Sequence, residues 1–288
     1  MFRSFAVAGN GEEGVEYLES LVEYDTRGNV VRETKFLEDG KAEEINTYAY
    51  DSSDRLTEHT LDYVPDEASE KRVLERDPEG RVTRESKYYG ELAGERTEYT
   101  YDDAGNITEI KSFDEEGDFS TREEIAYDEK KQVTLRVVYD PNNEVLEKRE
   151  FSHSDDGLSV EEKLYDKNGE LQKKTLARQD ADRRETDSEE RTGQGKLISA
   201  MHSLYDGKGN LLERQYKDFN SKVLRYRYDD QNRCTAEELF DDHGVLLRKH
   251  LFEFDAQGRL ETEQNYEMNA ARGARDKHLA IRYEYENY

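Results

Sequence analysis

Apolar and polar residues alternate along this chain in runs of about eight, with no sustained helical spacing, and a period of two over that length predicts β-strands. The runs are separated by a recurring turn grammar. Tyr24-Asp25-Thr26-Arg27-Gly28-Asn29-Val30 returns as Tyr101-Asp102-Asp103-Ala104-Gly105-Asn106-Ile107. It returns again as Tyr205-Asp206-Gly207-Lys208-Gly209-Asn210-Leu211 and Phe254-Asp255-Ala256-Gln257-Gly258-Arg259-Leu260. Weaker copies centre on Asp51, Asp77 (with Gly80), Asp128 and Asp229, and two more thread through His153 and Asp180. The anchors lie about 26 residues apart, so about ten units cover residues 1–288 as a single array. Residues 1–13 form a leader, and residues 178–196 a degenerate unit.

Each unit has a second turn near its middle, as in Glu38-Asp39-Gly40, Asp140-Pro141-Asn142-Asn143 and Asp166-Lys167-Asn168-Gly169. Asp opens the turn by accepting backbone N–H groups further on, and Gly three residues later supplies the left-handed conformation of a type I turn with a G1 bulge. Each unit therefore reads as a hairpin. The stretch Glu12 to Leu21 fits either a short helix or a first strand.

Aligned on the anchor, the units form columns. Five residues on comes an aliphatic side chain (Val30, Leu56, Val82, Ile107, Val133), and eleven on an aromatic one (Phe36, Tyr88, Phe113, Tyr139, Phe240). These share parity and therefore one sheet face. The positions between them are mixed and often charged, such as Arg84 and Ser86 or Glu109 and Lys111. The other face carries a threonine column of Thr57, Thr83, Thr108, Thr134, Thr186 and Thr235, suited to a wet surface. Neither face reads as a sandwich core. The expected fold is all-β: an antiparallel meander of about 20 strands in an elongated, twisted or spiralling, largely single-layer sheet. Around Asp180 the apolar columns fail, so that unit is either a flexible interruption or a strand paired through charge.

Composition supports this picture. Only 33% of residues are hydrophobic and 39% are charged, too polar for a thick core, yet the 20 tyrosines can cover a sheet while keeping their hydroxyls wet. The net charge of -26 argues against nucleic acid and anionic membrane partners, both of which call for basic patches. One cysteine, Cys234, excludes an internal disulfide and fits a reducing, cytoplasmic compartment. The leader is too short for a complete signal peptide.

The pattern Tyr-Asp-x-x-Gly-Arg/Asn-Leu/Val-Thr resembles the YD repeat of the Rhs family. It is carried by Asp77-Pro78-Glu79-Gly80-Arg81-Val82-Thr83, Asp51-Ser52-Ser53-Asp54-Arg55-Leu56-Thr57 and the Asp102 to Thr108 stretch. The resemblance implies a spiralling β-sheet that encloses a toxin or effector, or presents a carbohydrate-binding or adhesive surface. This chain is far shorter than such shells. A weaker similarity is to MORN-type hairpin modules, which serve as interaction scaffolds.

No chemistry stands out. The six histidines have no metal spacing, Asp206-Gly207-Lys208-Gly209-Asn210 lacks the ligand series of a calcium loop, and no phosphate-cradling loop leads from strand to helix. Neither a cofactor nor an enzymatic activity is expected. The leading expectation is a scaffold that binds a protein partner along a sheet face or an edge strand. Edge strands at both ends would permit self-association, with Tyr283, Tyr285 and Tyr288 of the last strand as a candidate contact. Two other functions compete: an accessory or neutralising component of an Rhs-type toxin system, and carbohydrate binding by exposed tyrosine rows.

Overall fold

The computed structural model describes residues 2–8, 15–269 and 274–285. Among these, 22 strands account for nearly all regular structure, with one 3-10 turn at Val64–Asp66 and no α-helix. The chain opens with β1 (Phe2–Ala8), β2 (Val15–Tyr24), β3 (Val30–Phe36), β4 (Ala42–Tyr50), β5 (Leu56–Tyr63), β6 (Ala68–Arg76) and β7 (Val82–Tyr89). Next come β8 (Leu92–Tyr101), β9 (Ile107–Phe113), β10 (Phe119–Tyr127), β11 (Val133–Tyr139), β12 (Val145–His153), β13 (Ser159–Asp166), β14 (Leu171–Gln179) and β15 (Glu185–Thr192). The series ends with β16 (Leu197–Tyr205), β17 (Leu211–Lys217), β18 (Lys222–Tyr228), β19 (Cys234–Asp241), β20 (Leu246–Phe254), β21 (Leu260–Asn269) and β22 (Ala274–Tyr285).

The strands fall in two compact units. One comprises Met1–Tyr48, Asp62–Glu67 and Met201–Tyr288; the other comprises Ala49–Leu61 and Ala68–Ala200. In the second unit, β6 to β15 pair antiparallel in chain order. In the first unit, β17 to β22 do the same, β22 pairs with β1, and β1 leads through β2 and β3 to β4.

The turn chemistry explains this regularity. In the Asp102 turn, Asp102 N–H donates to Asn106 O at 2.9 Å and Gly105 N–H donates to Asp102 O at 3.0 Å. The Asp102 Oδ1 then accepts from the N–H groups of Ala104 and Asn106 at 2.9 and 2.8 Å. The pattern recurs at Asp25, Asp51, Asp128, Asp206, Asp229 and Asp255. The third residue after the aspartate is always left-handed, with φ +84° at Gly105. Where glycine is missing, Asp54, Lys131, Asn143, Arg183 and Asn232 take that conformation. The residue before each anchor aspartate sits at a register shift, as between Thr100 and Tyr101, which is the bulge that the turn type demands.

There is no conventional core. Among the described residues the buried apolar side chains are Ile125, Val137 and Ala236, and Thr34, Ser203 and Glu238 are buried just as deeply. Ile125 and Val137 lie on opposite faces of their ladders, since the register sets Ile125 against Arg136, one residue from Val137. Each face is therefore half-covered by its own side chains.

The structure decides two alternatives that the sequence left open and changes one expectation, and it places a strand, β1, in the leader. The stretch after Glu12 continues into β2 and not a helix, because Val15–Tyr24 pairs on both sides. The degenerate unit is a regular hairpin and not a flexible interruption: β14 and β15 pair over seven positions, and Lys173 meets Glu190 across the ladder at 3.0 Å. Finally, β1 and β22 are not open edges, since they pair with one another over Phe2↔Tyr285 to Ala6↔Ile281.

The left-handed slot yields a paired test by chemical denaturation. A Cβ at Gly105 meets nothing within 4 Å, so Gly105→Ala should destabilise through backbone strain alone, by about 1 kcal/mol. At Lys131 (φ +62°) the strain is already present, and Lys131→Gly should stabilise by up to about 1 kcal/mol.

Candidate functional site

The motif residues form a latch between neighbouring units. Four tyrosines donate their hydroxyls to the main-chain carbonyl five residues after an earlier anchor aspartate. Tyr101 Oη reaches Val82 O at 2.6 Å, and Tyr127 reaches Ile107 O at 2.8 Å. Tyr228 reaches Leu211 O at 3.0 Å, and Tyr285 reaches Leu260 O at 2.8 Å. Where tyrosine is replaced, the bond survives with another donor: Arg76 Nη2 to Leu56 O at 3.1 Å, and His153 Nε2 to Val133 O at 2.8 Å. His153 thus occupies the tyrosine position, and the turn itself begins at Ser154.

The residue four after the aspartate completes the latch. Its side chain donates to the second carboxylate oxygen: Asn29 to Asp25 at 3.1 Å, Arg55 to Asp51 at 2.8 Å, Arg81 to Asp77 at 2.7 Å, and Arg259 to Asp255 at 2.8 Å. Where it is arginine, the guanidinium also reaches the next unit. Arg81 lies 4.8 Å from the Tyr101 ring centre, Arg233 4.5 Å from Phe254 and Arg259 4.5 Å from Tyr285. The Arg55 guanidinium sits where a Cβ on Gly80 would be, so that glycine is fixed by close approach as well as by its φ of +89°. The threonine column has a role the sequence did not show. Thr57, Thr83, Thr108, Thr134, Thr186 and Thr235 donate to the carbonyls of Ala49, Glu75, Thr100, Ala126, Arg178 and Arg227 across their own hairpins, at 3.1–3.4 Å.

At the other end of the strands, the aromatic column is covered by cations from the neighbouring strand. Arg96 lies over Phe113 at 4.0 Å, Arg122 over Tyr139 at 4.6 Å, Lys71 over Tyr88 at 5.1 Å and Lys148 over Tyr165 at 5.5 Å. The strand middles carry ion-pair ladders, among them Arg84 with Glu98 at 3.1 Å and Glu75 at 3.3 Å. Most such pairs are half-exposed and each contributes little. Glu238 differs, being buried between Arg227 at 2.7 Å and Lys249 at 3.1 Å. Burial pushes its carboxyl up, but these two cations hold it below the usual range.

A depression of about 500 Å³ lies on one face of β10 to β13. Val138 and Phe151 give it an apolar floor, and Val133 lines its end. Glu123 and Arg136 pair at 3.2 Å on one side, and Arg149 bridges Glu147 at 2.6 Å and Glu162 at 2.9 Å on the other. Every carboxylate lining it is thus ion-paired. Among the described residues, no group of three His, Cys, Asp or Glu side chains could hold a metal ion. Cys234 is a half-buried free thiol whose pKa burial raises.

Of the candidate contact residues, Tyr285 is a latch tyrosine, and Tyr283 donates to Glu263 at 2.6 Å; burial and that carboxylate push its hydroxyl pKa far up. Both belong to a strand paired on each side. Tyr288 lies outside the described residues. The turn aspartates and glycines act within the hairpins, as their spacing implied.

Two predictions follow from the latch. Tyr101→Phe should lower the unfolding free energy by about 1 kcal/mol, the net value of one hydrogen bond, and an unchanged denaturation midpoint would show that the bond is idle. The second concerns acid. The N–H of Asn29 holds the Asp25 carboxyl below its ordinary range, as the Asn106 side chain does for Asp102, the Asn210 N–H for Asp206 and the Arg233 N–H for Asp229. A carboxyl whose pKa is depressed by folding stabilises above its unfolded pKa, near 4, and that stability is lost as pH falls through the lower folded values. The denaturation midpoint should therefore hold from pH 7 to about 5 and drop below about 4.

No protein-family model matches the chain, and no curated protein sequence matches it. Among solved structures, TcdB2-TccC3 is similar at a TM-score of 0.43 and 13% identity, over 89% of this chain and 16% of that one. A Photorhabdus luminescens Tc holotoxin pore gives a TM-score of 0.42 and 13% identity, over 91% and 16%. A porin-like protein from Bacteroides uniformis gives 0.35 and 13%, over 99% and 96%. The chain spans about a sixth of the length of the toxin chains it matches. These are distant likenesses, and no residue role passes from them to this chain.

Proposed function

We propose that the protein is a non-enzymatic β-repeat scaffold that binds a protein partner through an exposed sheet face. The observation that carries this reading is the depression on β10 to β13, with its apolar floor of Val138 and Phe151 between paired charges. An extended polypeptide can lay alternate side chains on such a floor while its own charges exchange with Arg136 and Arg149. The net charge of -26 favours a partner rich in lysine and arginine.

A second reading, an accessory or neutralising component of an Rhs-type toxin system, has one specific observation in its favour. The Tyr, Asp, Gly, Arg/Asn and Thr positions of the motif that resembles the YD repeat each do identifiable work in the turn and latch of this chain. Carbohydrate binding is disfavoured physically. Several aromatic rings that would stack on sugars already lie under guanidinium or ammonium groups, so binding would require those to leave.

The test is capture of proteins from source cells on the immobilised full chain, with Arg149→Glu and, on the opposite face, Lys163→Glu. A partner captured by the wild type and by Lys163→Glu but lost with Arg149→Glu supports the proposal. Capture that is indifferent to Arg149, or no capture from a monodisperse protein, overturns it. Identification of a co-encoded toxin as that partner would select the second reading.

A further inference from the structure

The strand β1 stands outside the repeat. It precedes the first Tyr-Asp anchor, yet its backbone pairs on one side with β2, the first repeat strand, and on the other with β22, the last. Since β1 is antiparallel to both, β2 and β22 run in the same direction and cannot zip antiparallel to one another. The repeat therefore leaves, between its first and last strands, a slot that takes a strand of the opposite direction. We propose that this slot is a strand-binding site, filled in cis by β1 and in trans by β1 of a second copy of this chain.

Three observations carry the proposal. The slot meets β1 through main-chain ladders, with five residue pairs to β22 and seven to β2, and such ladders accept any strand of the right direction. The Phe5 contact travels with the strand: its ring lies 5.0 Å from the Arg282 guanidinium, so an identical strand from another copy reproduces it. Charge selects the mode. Faces of a chain with net charge -26 repel one another, whereas Phe2–Ala8 brings one positive charge and no negative one. The inference rests on the scaffold reading only in taking contact between chains as the function, and a missing face partner leaves it standing.

The experiment uses the full chain. Ala6→Pro removes a donor from a position paired with both Tyr17 and Ile281, which weakens β1 in its slot. A fluorescent peptide carrying residues 2–8 should bind this variant at least about tenfold more tightly than the wild type. A variant that keeps its β-sheet circular dichroism but takes up no peptide overturns the proposal. Should Ala6→Pro fail to fold, Ile281→Cys in a Cys234→Ser background decides, with a peptide carrying cysteine in place of Ala6. Disulfide capture of that peptide supports strand exchange, and absence of capture overturns it. Equal capture of a scrambled peptide overturns the assignment to a second copy.

Discussion

One carboxylate oxygen that accepts two main-chain N–H groups is the contact on which the rest of this protein depends. In the Asp102 turn it fixes the backbone from Asp102 to Asn106, which sets the reversal, the bulge and the facing of every side chain in the two strands that follow. Hydrogen bonds to an ionised acceptor are the stronger kind, and here they recur in unit after unit. Because the turn places Tyr101 in a bulge, its hydroxyl can reach back to Val82 O and tie its unit to the one before.

That arrangement explains how a chain so polar holds a sheet. A conventional domain buries a layer of apolar side chains. Here burial is shallow and distributed over both faces, and coupling between neighbours supplies cohesion, as expected of a repeat whose units touch only adjacent ones. Cations over aromatic rings and cross-strand ion pairs cover the sheet without a second layer. The same economy leaves wide faces open, which is why the functional reading rests on surfaces and on a strand slot and not on an enclosed site.

The turns, and the approximate length of the strands between them, were legible from the sequence. Asp-x-x-Gly governs backbone geometry over five residues and needs no partner elsewhere. Alternatives stayed open where local signals were weak. The unit at Asp180 read as either an interruption or a charge-paired strand because its columns hold Arg, Glu and Asp, and the meeting of Glu190 with Lys173 on β14 is visible only once the register is known. The donors that His153 and Arg76 supply in the tyrosine's place are likewise visible only in the folded sheet. The threonine column was readable as a pattern, but its bonds to carbonyls two residues before the aspartate require the hairpin to be closed. The depression on β10 to β13 was not readable at all, since Glu123, Arg136, Arg149 and Glu162 come from four strands.

The sequence by itself determined the unit: where each strand starts, where the chain reverses, and which side chains share a face, because all of these are set by contacts within a few residues. The tertiary structure alone decided what the two ends of the array do. The pairing of Phe2 with Tyr285 joins residues at opposite ends of the chain, and no local pattern encodes it. Only the directions of β2 and β22 in space show that a strand of opposite sense must lie between them.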